Sequence, residues 1–302
     1  MWYGYLSHAS KNLVIMKLFE IGDGLKSIKV TNEYYSNLEE EQTIVLYKGK
    51  ENEPEIRVSV ISVVPKDETD INNAYYSVIK NGEEKGCPVT RIEDKSYYTF
   101  SEVNQSGDST IVVHFYEIGF KCNFVILSVT VLQEDNDSSE LQATLREIES
   151  FIPSINEISL KDATIFDLRY SDFVNIDKRV ASVLEIEQDD IENCHETDMT
   201  LSKIQHILDE KRYTPEQTFE LQSLGLALGD YIQYKDDSLH WAVVRDEYGR
   251  DLCLQYKDTT LTVFPMTMLS KRVEDGEEVV VRSLVNGLFN IIENQTKDNG
   301  LK

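Results

Sequence analysis

The chain has 302 residues, 41% of them hydrophobic and 28% charged, a globular composition with room for two cores. Acids outnumber bases 54 to 30, for a net charge of −24. Such a field repels nucleic acid and anionic lipid, and no run approaches the ~18 apolar residues of a membrane span, so neither nucleic acid nor membrane is an expected partner. The excess is shared: residues 1–156 are net −11 and residues 157–302 net −13. A field of this sign attracts a basic partner and speeds encounter with it; the alternative, which is favoured, is that the charge serves only solubility.

Met1 to Met16 holds apolar stretches broken by Ser7, His8, Ser10, Lys11 and Asn12, so it is not read as a signal peptide. From Met16 to Val64 the pattern is one of short strands: Leu18 to Ile21, Leu25 to Val30, Thr43 to Tyr47 and Ile56 to Val64. Gly22-Asp23-Gly24, Asn37 and Lys48-Gly49-Lys50 read as the turns between them. A helix follows, with Asp70 as its cap and Ile71, Ala74, Tyr75, Val78 and Ile79 at helical spacing. Three strands come next, Tyr97 to Val103, Thr110 to Glu117 and Lys121 to Leu132, joined tightly at Gly107-Asp108 and Ile118-Gly119. The last is apolar on both alternating sets, which predicts cover on both faces. A second helix is predicted from Asp137 or Ser138 to Phe151, before Pro153.

Residues 157–198 form no clear pattern. Ile158 to Val183 holds scattered apolar residues compatible with a strand and a helix; seven of the fourteen residues from Glu185 to Asp198 are acidic, and that stretch reads as a solvated linker or as the polar face of a helix. Thr200 begins a helix with Leu201, Ile204, Ile207 and Leu208 on one face. Thr214-Pro215-Glu216-Gln217 reads as a capping box with Pro at the first helical position, opening a second helix through Leu221, Leu224, Leu228 and Tyr231. Gly225 and Gly229 each cost that helix roughly 1 kcal/mol, which implies close approach of another backbone. Strands Trp241 to Asp246, Asp251 to Tyr256 and Thr260 to Phe264 precede a last helix from Glu278 to Ile292. The fold class is α+β. An antiparallel sheet with flanking helices (1–156) is followed by the linker region (157–198) and a smaller α-α-β-β-β-α domain (199–302).

Four segments of the C-terminal part carry a resemblance. They are Leu224-Gly225-Leu226-Ala227-Leu228-Gly229-Asp230, then Trp241 with Asp246-Glu247-Tyr248-Gly249-Arg250-Asp251, then Val263-Phe264-Pro265, and finally Ser270 to Glu277. Together, over roughly residues 200 to 292, they resemble a bacterial family known as domain of unknown function 3806. The N-terminal half is similar to its frequent companion, domain of unknown function 3805. Its strand–helix–meander–helix order resembles the Mog1/PsbP/DcrB-like fold. The resemblance implies an architecture and a bacterial source, and no reaction.

The chemistry-bearing residues assemble into no catalytic motif. There is no GxSxG, no GxGxxG after a strand and no Walker lysine loop. Cys194-His195-Glu196 with Asp198 suggests a metal, but adjacent residues rarely ligate one ion, and no metal or cofactor is expected. The four cysteines, Cys87, Cys122, Cys194 and Cys253, include no CxxC pair, which fits a reducing cytoplasm. Cys122 and Cys253, in apolar runs, are expected as buried thiols. Candidate binding residues are Trp241, Lys271, Arg272, Glu274 and Glu277. Lys271 and Arg272 are cations in an acidic domain, and Arg presents a rigid fork to a carboxylate. Salt bridges within the domain are the favoured role for the pair, and a core anchor the favoured role for Trp241.

The reading that follows is a non-enzymatic cytoplasmic interaction protein, adaptor- or immunity-like, whose partner is another protein of basic character. The alternatives are a small-molecule sensor with a pocket near Trp241, Lys271 and Arg272, and an enzyme with a non-standard site.

Overall fold

A computed structural model describes residues 16–22, 24, 26–40, 42–50, 53–64 and 72–298, with side chains described to residue 294. Residues 1–15, the turn residue Asp23, Leu25, the cap residue Asp70 and the helical-spacing residue Ile71 lie outside the described residues. The chain divides into two compact units, residues 1–158 and 159–302.

In the first unit, period-two alternation makes strands that bury one set of side chains. β1 (Met16–Ile21), β2 (Lys26–Thr31) and the two-residue β10 (Asn156–Glu157) form a small antiparallel sheet in the order β1-β2-β10. The remaining strands are β3 (Tyr35–Glu40), β4 (Thr43–Tyr47), β5 (Ile56–Ser62), β6 (Thr90–Ile92), β7 (Lys95–Ser106), β8 (Ser109–Phe120) and β9 (Asn123–Leu132). They make a seven-stranded antiparallel sheet in the order β3-β4-β5-β9-β8-β7-β6. α1 (Asn73–Glu84) and α2 (Ser139–Phe151) complete the unit. Ser138 caps α2 by accepting from the Leu141 N–H.

The core lies between the two sheets and α2. Phe19, Ile21, Ile28 and Val30 meet Val58, Ile118, Val125 and Leu127, with Leu141, Ile148 and Phe151 from the helix. α1 packs on the opposite face. A Cβ on Gly119 would sit 2.3 Å from the Ala74 carbonyl oxygen, so only glycine lets α1 seat there. This corrects one expectation. Gly119 reads as a turn residue, but β8 runs through it and the chain reverses at Lys121-Cys122, where Lys121 takes φ 51°. Cys122 therefore lies in the turn and is half-buried, whereas Cys253 is buried as expected. Asn37 likewise reads as a turn and lies inside β3.

The second unit is built around α6 (Thr218–Lys235), in which every residue from Ser223 to Ile232 is buried. A helix apolar all round must be covered all round. Its neighbours include α3 (Tyr170–Leu184), α5 (Met199–Asp209) and α7 (Pro265–Glu274), with the short α4 (Ile191–Glu196) and α8 (Val281–Asp298) completing the helices. β11 (Thr164–Asp167), β12 (Leu239–Asp246), β13 (Gly249–Tyr256) and β14 (Thr262–Val263) form an antiparallel sheet in chain order. Gly225 and Gly229 do admit a close neighbour. A Cβ at Gly225 would meet the Pro265 carbonyl oxygen at 2.4 Å, and one at Gly229 the Trp241 ring at 2.6 Å.

Three expectations are corrected here. The segment 157–198 is no linker: it supplies β11, α3 and α4. Ile176, Val180 and Leu184 are buried, and in Glu185–Asp198 the apolar Ile191 and Cys194 turn inward while six of the seven acids stay exposed. Its acids describe one face of folded elements. Second, α6 starts at Thr218, not at Thr214-Pro215. Gln217 does bond back to the Thr214 N–H (2.9 Å), but that closes a turn ahead of the helix. Third, the unit is not α-α-β-β-β-α. It gains β11, α3 and α4 in front, and α7 between β14 and α8, with Pro265 in its first turn and Gly276 (φ 71°) just past its end.

Candidate functional site

The chemistry-bearing side chains of the second unit converge on Asp230, a carboxylate held inside the apolar helix α6. Its Oδ1 accepts from the Trp241 indole N–H at 3.4 Å and its Oδ2 bonds His195 Nε2 at 3.0 Å. His195 Nδ1 bonds Thr200 Oγ1 at 2.7 Å. An ionised carboxylate only accepts, so Nε2 carries the proton; in the neutral ring Nδ1 then accepts from the Thr200 hydroxyl. Thr200, His195, Asp230 and Trp241 are 0%, 3%, 7% and 5% exposed, so the chain of bonds is closed to solvent.

Two further aspartates flank this network. Asp177 on α3 is half-buried, and burial, then the charge of Asp230, push its carboxyl up to about 6. Asp198, with φ 56° at the start of α5, is held low, at about 2, first by the Lys235 ammonium, then by the Tyr231 hydroxyl, with Arg282 adding to it. Its Oδ1 accepts from Tyr231 (2.8 Å) and Lys235 (3.0 Å) and its Oδ2 from the Arg282 fork (3.2 Å), tying α5 to α6 and α8. Nearby, Asp172 and Arg250 form a two-bonded pair at 3.1 and 2.7 Å between α3 and β13.

In shape, Thr200–His195–Asp230 is a hydroxyl–imidazole–carboxylate relay. Chemically, a nucleophile must reach substrate, and Thr200 has no exposed surface. Two depressions of about 390 and 430 Å³ lie elsewhere, at residues 181–190. Cys253, also buried, has its thiol pushed up to about 12 by burial, a poor nucleophile.

The residues singled out from the sequence fall in different places. Trp241 is in the core, against Gly229 and bonded to Asp230. Lys271, Arg272 and Glu274 lie in the last turn of α7, and Glu277 beyond it. Arg272 donates to the Met268 carbonyl (2.7 Å) and stands 3.8 Å from Glu277, while Lys271, Glu274 and Glu277 are exposed. Neither depression is lined by Trp241, Lys271 or Arg272. The Ser270-to-Glu277 segment is a helix end: its cations face the negative pole, and the Gly276 and Glu277 N–H groups close on Val273 and Arg272. Thr200, His195 and Asp230 went unnoticed as a set. The available signal was a charged residue within Leu224-Gly225-Leu226-Ala227-Leu228-Gly229-Asp230, since a carboxylate in an apolar helix requires a buried partner.

No curated protein matches the chain. Over 90% of its length it is similar to a protein of Bacteroides thetaiotaomicron VPI-5482 known from a crystal structure, at 16% identity and a TM-score of 0.68, covering 98% of that chain. At this identity the likeness shows the fold. A cyanobacterial PsbP (CyanoP) from Synechocystis sp. PCC 6803 matches at 8% identity over 51% of this chain and 99% of that one, with a TM-score of 0.23, which carries no argument. The family described as a domain of unknown function (DUF3806) matches residues 200–284, a span that contains Thr200, Gly225, Gly229, Asp230, Trp241, Pro265 and Gly276. The DUF3806 domain is therefore found at residues 200–284, and the buried Thr200–Asp230–Trp241 arrangement lies inside it.

Proposed function

We propose that this is a non-enzymatic interaction protein of the cytoplasm, adaptor- or immunity-like, that binds a basic protein partner through its acidic surface. The observation that carries the reading is the closure of the Thr200–His195–Asp230 network. The one relay-like set among the described residues is sealed and used to hold α4, α5, α6 and β12 together. The surface, by contrast, carries the net charge of −24 and large exposed apolar groups such as Phe219 and Tyr248. Exposed aromatics are common in interfaces, and a strong field of one sign selects a partner of the other. The first unit is taken as the companion domain of unknown function 3805.

The test is capture of partners by the tagged chain from host lysate at about 50 and about 500 mM salt, read by mass spectrometry. One enriched basic protein, released at the higher salt, is expected. Capture that ignores salt removes the electrostatic part of the reading, and no enriched protein at either salt removes the reading itself.

A further inference from the structure

β7 and β8 are each 12 residues long, about 40 Å, and outrun the strands beside them. On its outer side β7 pairs with β6 through Lys95, Ser96 and Tyr97 only; among the described residues nothing pairs with that side from Tyr98 to Ser106. The two-residue loops fix which backbone groups are free. Gly107-Asp108 closes on Ser106↔Ser109, so the even-numbered residues of β7 exchange bonds with β8. Thr99, Ser101, Val103 and Gln105 then aim their N–H and C=O groups outward, in register with Lys95 and Tyr97, which bond β6.

Natural edge strands are blunted by Lys, Pro, bulges or a covering segment. This one is not. Residues 99–106 contain no Pro and no Lys, and β7 pairs with β8 without a register break. Six consecutive residues, Ser101 to Ser106, are exposed, with Val103 at 65%. On one face beside the edge, Phe100 stacks on Phe115 (centroids 4.9 Å apart) and both remain half-exposed. On the other, Ser101 bonds His114, which holds Asn136 at 2.9 Å and so brings the turn Gln133–Asp135 against the arm.

The charge around this edge is acidic apart from Lys85, whose Nζ lies 3.9 Å from the Phe100 ring centroid. Residues 99–113 and 130–140 contain no Lys or Arg, and they carry Glu102, Asp108, Glu134, Asp135, Asp137 and Glu140. A second copy of the chain would bring the same acids to the same edge, so self-pairing is opposed. We infer that the outer edge of β7, from Thr99 to Gln105, is a docking site for an extended basic segment of another protein, which adds as a strand. Its backbone pairs with the four outward residues, and its cations meet Glu102 and the Glu134–Asp137 turn. The inference rests on the interaction reading above and gives that reading a place on the molecule.

The test uses the full chain and two labelled dodecapeptides in which lysine alternates with valine and threonine. One has a normal backbone; the other is methylated on alternate amide nitrogens and cannot pair as a strand. Binding is followed by fluorescence anisotropy at about 50 and about 500 mM salt. The normal peptide is expected to bind about tenfold or more tightly than its methylated twin, and to be released by salt. Val103→Pro, which deletes an outward N–H, and Glu102→Lys should each weaken it about tenfold with the melting curve unchanged. Should Val103→Pro not fold, the comparison of the two peptides on the unaltered chain decides. Equal binding of both peptides overturns strand addition but leaves a salt-dependent, acidic interaction protein. Preference for the normal peptide that survives both variants moves the site away from β7 and overturns the inference. Binding of neither peptide at low salt overturns the inference and counts against the acidic-surface reading as well.

Discussion

His195 and Asp230 bond at 3.0 Å from a position on α6 where every neighbour from Leu224 to Ile232 is buried. A carboxylate there is tolerated only because the imidazole and the Trp241 indole both donate to it. Asp230→Ala should therefore cost about 3–5 kcal/mol, because it leaves a buried imidazole and indole without an acceptor. Urea titration measures this. A loss under about 1 kcal/mol means that water reaches the site and the network is not sealed.

Asp177 supplies a pH dependence. Its carboxyl is raised from 3.8 to about 6, so the folded state holds this proton more tightly than the unfolded chain does. Stability is fully present below about pH 4 and is lost as pH rises to about 6. At one pKa unit per ~1.4 kcal/mol, the penalty at neutral pH reaches about 3 kcal/mol. Asp177→Asn should stabilise the protein at pH 7.5 by an amount approaching that and flatten this limb. Melting curves from pH 4 to 8 with no difference between the two chains rule the effect out.

Asp198 acts in the opposite sense. Its carboxyl is held at about 2 by Lys235, Tyr231 and Arg282, below its ordinary 3.8. The stabilisation is present above about pH 4 and disappears as pH falls through about 2. Asp198→Asn should lower stability above about pH 4, flatten the loss between about pH 4 and 2 and leave the Asp177 limb unchanged; an unaltered acid limb contradicts the assignment.

Three helical glycines separate packing from propensity. Gly225→Ala drives a methyl onto the Pro265 carbonyl and Gly229→Ala onto the Trp241 ring, so each should destabilise by about 1–3 kcal/mol despite the gain in helix propensity. At Gly287, within α8, nothing lies within 4 Å of an added Cβ, and alanine should stabilise by up to about 1 kcal/mol. Similar effects at all three sites, by chemical denaturation, contradict the α6–α7 packing described.

Much of the local order was legible because it follows from local rules. The meander, the start of α2 near Ser138, and the cost of Gly225 and Gly229 all reside in short stretches of chain. What escaped depends on residues far apart. Nothing near Gly119 announces that α1 will lie across it, and nothing near His195 announces Asp230 on another helix. For 185–198 the sequence left a linker and the polar face of a helix open, because the acids of the solvent face outnumber the few apolar residues beneath. α7 was legible in principle, from Pro265 at its start to Gly276 past its end. Of the five candidate binding residues, Trp241 alone touches the buried network, and there it acts as a core anchor.

Under the proposed interaction reading, this network shapes the second unit and takes no part in recognition. Thr200→Val deletes the hydroxyl that bonds His195 while keeping the side chain's volume, and the variant should be less stable but folded. The most direct measurement is partner capture at low salt by this variant, well below its melting temperature, beside the unaltered chain. Equal capture is predicted. A folded Thr200→Val chain that no longer retains the partner would contradict the account and make the Thr200–His195–Asp230 set part of the functional site.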